Sequence, residues 1–355
     1  MLYNDFGLEE RLAVRVLKSR AEEVRNLLKK LNLLDRNLKP KIEGDYVLFP
    51  VRNVEILEKT LSEYSLETVY TLFEKRFRKP RSIKDVLKEI VPENLHVYIP
   101  SSIDLVGSIA LVDVPEELKD YSGEIGRAIV KLYPKVKTVL SKEGGTVGDY
   151  RIRMLRKIFG EDSTETVYRE HGCLFKLDLS KVFFNPRMSG ERIRIASITR
   201  DGEYVLDMFA GVGPFSIIIA KKKMVKVKAV EINPDAYRYL VENIKLNNVS
   251  DKVTPVLGDA GKVLENEKEI YDRVIMDLPF KSLEYLDIAL KVVKKNGVIH
   301  LYTIGEDEDT LEKNVEKVQD KIREMDHNVE ILSKRIVLET APRKFIIVVD
   351  LKKIS

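Results

Sequence analysis

A single cysteine in 355 residues leaves no partner for a disulfide and too few thiolates for a structural zinc site. Histidine is also scarce: His96, His171, His300 and His327 are scattered, no two of them one helical turn apart, so no metal site is expected. Tryptophan is absent, and no run approaches the ~18 apolar residues that would span a bilayer. The opening MLYNDFGLEERLAVRVLKSR has no apolar stretch between a basic segment and a cleavage site. These absences describe a reduced, cytoplasmic protein, expected to be a monomer without membrane or metal partners.

A large excess of one charge sign is also missing, the net being +4, but the charge is unevenly spread. Residues 1–200 carry 36 Lys and Arg against 30 Asp and Glu, whereas 201–355 carry 25 against 27. The block 151–200 alone has 11 basic and 6 acidic residues. A basic front on a neutral-to-acidic back suits a polyanion held by the first part and chemistry in the second.

At about 100–200 residues per domain, this length predicts two or three domains. Residues 1–73 read as a small α+β unit containing the helix Ala21–Leu31, the strand Tyr46–Val51, a helix at Val54–Ser62 and the strand Leu66–Phe73. Residues 74–81 (EKRFRKPR) carry five basic residues without apolar periodicity and read as a linker. Residues 82–195 read as a middle α+β domain, with a flexible loop at Glu143–Gly148 and a long strand-like run, Cys173–Phe184. From 196 to 355 short apolar strands alternate with helices and end in two strands joined by Ala341-Pro342-Arg343. Such alternation makes a doubly wound α/β sheet, and the short final connection makes its last pair antiparallel. Five parallel strands closed by such a hairpin is the Rossmann-like architecture of class I S-adenosylmethionine-dependent methyltransferases.

The candidate cofactor site lies in Val205–Phe215 (VLDMFAGVGPF), where the first strand of this sheet turns into a helix. Gly211 and Gly213 let the backbone pass close under a ligand. The dinucleotide fingerprint is incomplete, since its third glycine would fall at Ser216. Asp207 before the turn suits a cationic ligand end and would repel a pyrophosphate. Glu231 ends the second strand, where an acid can accept from ribose hydroxyls. Asp259 ends the third and is placed for an adenine amine. Taken singly, each acid could cap a strand; three in succession at carboxyl ends of strands mark a ligand crevice. Phe209 and Ile232, beside the turn and Glu231, are expected to touch the cofactor.

The fourth strand ends in Asp277-Leu278-Pro279-Phe280, an acid followed by a proline and an aromatic. Its polar group can accept from an N–H being alkylated, Pro279 stiffens the backbone, and Phe280 can stack on a base. Together with Tyr150–Arg153 (YRIR), Lys181–Arg192 (KVFFNPRMSGER) and the glycine turn, it resembles the archaeal and eukaryotic tRNA (guanine-37-N1) methyltransferases, from about residue 12 to the end. In that family the first domain touches the outer corner of tRNA, the middle domain grips the anticodon stem, and the last binds S-adenosylmethionine. The resemblance implies Glu191 as the base that removes the N1 proton and Arg151 as the cation that stabilises O6. It also implies that Phe184, Asn185, Pro186 and Arg187 close over cofactor and base, with Asp277 and Pro279 in the catalytic wall. The chemistry is sensible, because guanine N1–H is weakly acidic and its alkylation needs both a base and a cation. The family usually has Asn where this chain has Asp277. That difference keeps open methylation of exocyclic guanine N2 or adenine N6, and a further activity on C7 of a wyosine precursor. A non-catalytic RNA-binding subunit is the remaining alternative, disfavoured by the complete set of cofactor acids.

Overall fold

The first strand, β1 (Leu8–Leu17), buries residues on both its faces, the adjacent Ala13 and Val14 together with Val16. It is followed by α1 (Ala21–Lys30), which buries Val24 and Leu28, one turn apart on one face. The computed structural model describes residues 8–52, 64, 66–76, 82–148, 150–306, 310–325 and 327–355. These divide into two compact units, Met1–Pro80 and Arg81–Ser355.

In the first unit, β2 (Lys41–Glu43), β3 (Tyr46–Pro50) and β4 (Glu67–Glu74) join β1 in an antiparallel sheet of order β2-β3-β1-β4. Its two faces feed separate clusters. Val14, Val24, Leu28 and Phe49 fill one, while Ala13, Leu38, Leu48 and Phe73 fill the other. The helix expected at Val54–Ser62 lies outside the described residues, as does most of the expected linker.

The second unit begins with α2 (Ile83–Leu87), whose start is fixed by a reciprocal cap between Ser82 and Asp85. Strands β5 (Ile103–Val106) and β6 (Ile109–Val112), helix α3 (Ser122–Leu132), and strands β7 (Thr138–Val147) and β8 (Ile152–Gly160) follow. The four strands form a sheet of order β5-β6-β7-β8, packed on α2 and α3 through Leu87, Ile125, Ile129 and Val139. Glu143–Gly148, expected as a flexible loop, is largely the end of β7. Its pairing with β8 slips between Lys142 and Thr146, where Gly144 adopts φ +93. The glycines make a bulge in a strand rather than a break.

Next come β9 (Glu165–Glu170) and β10 (Cys173–Asp178), an antiparallel hairpin turning at His171 and Gly172, both with positive φ. The strand expected to run to Phe184 stops at Asp178, whose carboxylate accepts from the backbone and hydroxyl of Ser180 and so forms a turn. Helix α4 (Ser189–Ile198) then leads into β11 (Tyr204–Asp207), α5 (Pro214–Lys222), β12 (Lys226–Glu231), α6 (Pro234–Leu246), β13 (Val253–Leu257) and α7 (Ala260–Val263). The chain ends with β14 (Tyr271–Met276), α8 (Leu286–Val292), β15 (Val293–Glu306), α9 (Thr310–Arg323), β16 (Val329–Ala341) and β17 (Lys344–Lys353).

The resulting seven-stranded sheet has the order β13-β12-β11-β14-β15-β17-β16, its first five strands parallel and β17 and β16 antiparallel. This is the expected architecture. Neighbouring residues point to opposite faces: Val205 and Ala229 pack towards α5 and α6, whereas Leu206 and Val230 pack towards α8 and α9. The β9–β10 hairpin belongs to the same packing. Asn243 of α6 and Asn247, the residue that ends it, each pair with the backbone of β10, at Lys176 and Leu174, at 2.6–3.0 Å. Two asparagines thus take the place of a neighbouring strand, and packing runs through residue 195 without a break there.

Candidate active site

The chain leaves β11 at Asp207 and must enter α5 within a few residues. Gly213, the residue before Pro214, has φ +90, and a Cβ there would come within 2.5 Å of Leu240 and 2.9 Å of Ile217. Gly211 has φ +55, with open space where its side chain would be, and its amide donates to Glu231 at 2.6 Å. The two glycines therefore differ in kind: Gly213 seats the helix, and Gly211 keeps the ligand space clear. Beside the turn, at the carboxyl ends of β11 to β14, lies a cavity of about 500 Å³. Phe209, Gly211, Glu231, Ile232, Asp259, Asp277 and Phe280 line it, with Arg151 and Phe183 from earlier in the chain.

Asp207 is buried, with one carboxylate oxygen accepting from Ser216 Oγ at 2.6 Å and the other without a partner. Burial pushes its carboxyl up to about 7, and the nearby Asp277 and Glu231 charges add to the effect. Asp207 does not itself line the 500 Å³ cavity, but its orphaned acceptor fits a cationic ligand group, as the methionine end of S-adenosylmethionine would supply. Glu231 accepts from the amides of Gly211 and, at 2.7 Å, Asn233. Each oxygen keeps a lone pair for a ribose hydroxyl, while burial pushes the group upwards against these bonds. Asp259 is more committed than expected. It caps α7 through the Lys262 amide at 3.1 Å and accepts from the Tyr285 hydroxyl at 3.0 Å. Tyr285 in turn packs edge-on against Phe209 at 5.1 Å.

The opposite wall is cationic and aromatic. Arg151, at φ +53, holds its guanidinium 4.7 Å from the Phe183 ring and 4.9 Å from the Phe280 ring. Arg153 also holds its guanidinium 5.0 Å from the Phe183 ring. No carboxylate among the described residues forms an ion pair with either arginine. Burial lowers the Arg151 pKa, opposed by the Asp277 charge, and burial raises Asp277, opposed by Arg192 and Arg151. Beyond this wall a wider cleft of about 800 Å³ is lined by Arg151, Arg153, Pro279 and residues 338–342, together with Lys142 and Arg187, which are paired there with Asp104 and, for Lys142, Asp113. No helix of the described residues is long and apolar enough to cross a membrane, and none of their acid, His and Cys groups form a metal cluster.

The segment after β10 departs from expectation by one residue. Phe184 is buried, edge-on to Tyr168 at 5.2 Å and under Arg192 at 4.9 Å. It borders only a small recess of about 80 Å³, shared with Asp277 and Pro279. Its neighbour Phe183 lines the main cavity instead, because successive residues of an extended segment face opposite ways. Arg187 turns to Asp104 of β5 at 2.6 Å and lines the wide cleft, away from the cofactor-sized cavity. Gly213 likewise lies behind the cavity wall. Asn185 caps the turn into α4 by accepting from the Arg187 amide.

Glu191, on the first turn of α4, has only 1% of its side chain exposed. It accepts from Arg194 at 2.7 Å, from the Tyr302 hydroxyl of β15 at 2.7 Å, and from Arg335 of β16. Burial raises its pKa, but Arg194, Arg335 and Tyr302 outweigh that and hold it below the usual carboxylate range. Arg194 continues the network to Asp350, which also accepts from His300 at 2.6 Å.

Comparison with known proteins places this geometry. The family model described as the TRM5/TYW2 methyltransferase domain matches residues 166–332, a TYW2 N-terminal domain matches 83–164, and a tRNA methyltransferase 5 N-terminal domain matches 13–55. The tRNA (guanine(37)-N(1))-methyltransferase Trm5b of Pyrococcus abyssi is 41% identical over 96% of this chain and 98% of its own. The crystal structure of Trm5b from that organism aligns with a TM-score of 0.80 over 97% of this chain and 99% of that one. A complex of aTrm5 with tRNALeu aligns at 0.76 with 35% identity, covering 96% and 99%. Trm5 from Methanocaldococcus jannaschii, solved with adenosine, aligns at 0.65 with 33% identity, covering 97% and 99%.

Proposed function

The chain belongs to the TRM5/TYW2 methyltransferase family, and on that premise we propose that it methylates N1 of guanine 37 in tRNA, using S-adenosylmethionine. The observation that carries the chemistry is Arg151, in contact with the rings of Phe183 and Phe280 and without an ion-pair partner among the described residues, on the wall shared by the cofactor-sized cavity and the wider cleft.

S-adenosylmethionine, when bound, supplies an electrophilic methyl group on a cationic sulfur and leaves as the neutral thioether. Asp207, Glu231 and the Gly211 backbone are the groups to hold its amino-acid and ribose ends. As the N1–methyl bond forms, the N1 proton must leave and negative charge gathers on O6. Arg151 stabilises that oxygen, its charge strengthened in an aromatic, partly desolvated wall. Glu191 receives the proton, and Asp277 with Pro279 shapes the side of the pocket facing N1. Phe183 and Phe280 offer flat faces for the guanine.

The wider substrate is tRNA. Lys142, Arg153 and Arg187 line the cleft that would hold the anticodon stem-loop, which residues 82–195 are proposed to grip. Residues 1–73 are proposed as the module for the outer corner, with 74–81 as the basic linker. Mass spectrometry of nucleosides from transcript tRNA tests the reading. N1-methylguanosine should appear with guanine at position 37 and disappear with adenine there. N2-methylguanosine, N6-methyladenosine or no product at all would overturn it.

A further inference from the structure

Glu191 is badly placed for its proposed role as it stands. It is sealed from solvent, does not line the 500 Å³ cavity, and is held by two arginines and a tyrosine. Of these partners, Arg194 sits on the same helix and is anchored a second time by Asp350. Tyr302 lies in the middle of the sheet and is fully buried. Arg335 is different: its side chain is 36% exposed, on β16, an edge strand of the seven-stranded sheet. Just beyond it the pairing of β16 with β17 slips twice, between Ile336 and Leu338 and between Glu339 and Ala341. Residues 338–341 then form a wall of the wide cleft that Arg151 and Arg153 also line. One irregular strand thus links the surface that would meet tRNA to the carboxylate that would take the proton.

Resting on the reading of Glu191 as the base, we infer that Arg335 is a latch: it holds Glu191 in the free enzyme, and tRNA seated against residues 338–341 draws it away. The remaining charged neighbours of Glu191 are fixed in the fold. Arg194 stays tied to Asp350, Arg192 is paired with Glu170 at 2.7 Å, Asp277 directly follows β14, and His300 is held between Asp350 and Arg273. Arg335, with 36% of its side chain exposed against 23% for Arg194, has the more open path by which to leave. Arg335 is a positioning residue in this scheme, acting through Glu191 without touching the substrate.

The latch has a distinctive pH signature, since removing a nearby cation raises a carboxyl pKa by about 1–3. The rate at limiting tRNA reports the free enzyme, and the single-turnover rate at saturating tRNA reports the complex. In the unaltered enzyme the acid limb should lie about one pH unit or more higher at saturating than at limiting tRNA. In Arg335→Gln the two limbs should coincide at the upper position, and Arg335→Lys should restore the separation. S-adenosylhomocysteine binding, which does not involve this strand, checks that each variant is folded. An Arg335→Gln enzyme that keeps the separation overturns the latch, as does one slowed equally at every pH. Glu191→Gln distinguishes the two readings. If it retains the full rate and its limb, the base assignment itself fails; if it is slow while Arg335→Gln keeps its limbs apart, only the latch fails.

Discussion

Replacing Asp207 by asparagine should make the free protein more stable and the cofactor bind worse, a pair of opposite effects that follows from one buried carboxyl. In the folded chain this group titrates at about 7 rather than 3.8. Between those values the folded protein keeps a proton that the unfolded chain has released, so stability declines as pH rises through this window. By pH 8 the full cost is present, and the difference in pKa corresponds to about 4 kcal/mol. Asparagine preserves the shape and can still accept from Ser216, but its amide replaces the unpartnered oxygen and brings an unsatisfied donor costing about 1–3 kcal/mol. The net expectation is a gain of about 1–3 kcal/mol at pH 8, each kcal/mol raising Tm by about 1–2 °C in a protein of this size. The gain should shrink as pH falls towards 4, where the native acid is protonated in both states. For the ligand the sign reverses. A cationic group selects the ionised carboxylate, so affinity for S-adenosylhomocysteine should fall about tenfold from pH 8 to pH 6 and become nearly pH-independent in the variant. Calorimetric titration and thermal melts over pH 5–8 measure both quantities. A variant that melts lower at pH 8, or that binds as tightly as the parent with the same pH slope, would refute the reasoning.

Glu191→Gln should lower the single-turnover rate at saturating tRNA by about 10²–10⁴ while leaving cofactor affinity intact; an undiminished rate would pass the proton-acceptor role to Asp277, which lines the cavity on the wall shared with Arg151 and Phe280. The two glycines of the turn should separate in their effects. Gly213→Ala forces a Cβ to within 2.5 Å of Leu240 at φ +90 and should cost about 1–3 kcal/mol of stability by denaturant titration. Gly211→Ala meets nothing within 4 Å and should instead act on S-adenosylhomocysteine binding. Deleting residues 1–73, whose sheet fills its own two clusters, should leave a folded protein that binds the cofactor. It should lose activity on full-length tRNA and keep it on an isolated anticodon stem-loop; equal losses on both would place the unit within the catalytic fold.

Much of this protein was legible in local pattern. Strand-helix alternation after residue 201, the glycine turn at Gly211 and Gly213, and the acids Asp207 and Glu231 each depend on a few adjacent residues, because strand ends and tight turns are set by backbone geometry. The five parallel strands and their closing antiparallel pair followed from that same alternation, whereas the order of the strands in the sheet is set by the tertiary structure. What depends on parity or on distant partners was not legible. Whether Phe183 or Phe184 faces the cavity is a question of one residue along an extended segment, which Arg192 and Tyr168 decide by packing on Phe184. Glycines at 144 and 145 looked like a loop, and only the pairing of β7 with β8 made them a bulge. Asp259 and Arg187 stood where a ligand would want them, yet Tyr285 and Asp104, from elsewhere in the chain, had already engaged them. Glu191 is the clearest case. Its neighbours in sequence mark it as chemically important, but its partners Tyr302 and Arg335 lie 111 and 144 residues away. A carboxylate's availability is set by whatever the fold brings within hydrogen-bonding distance, and that is a property of the tertiary structure alone.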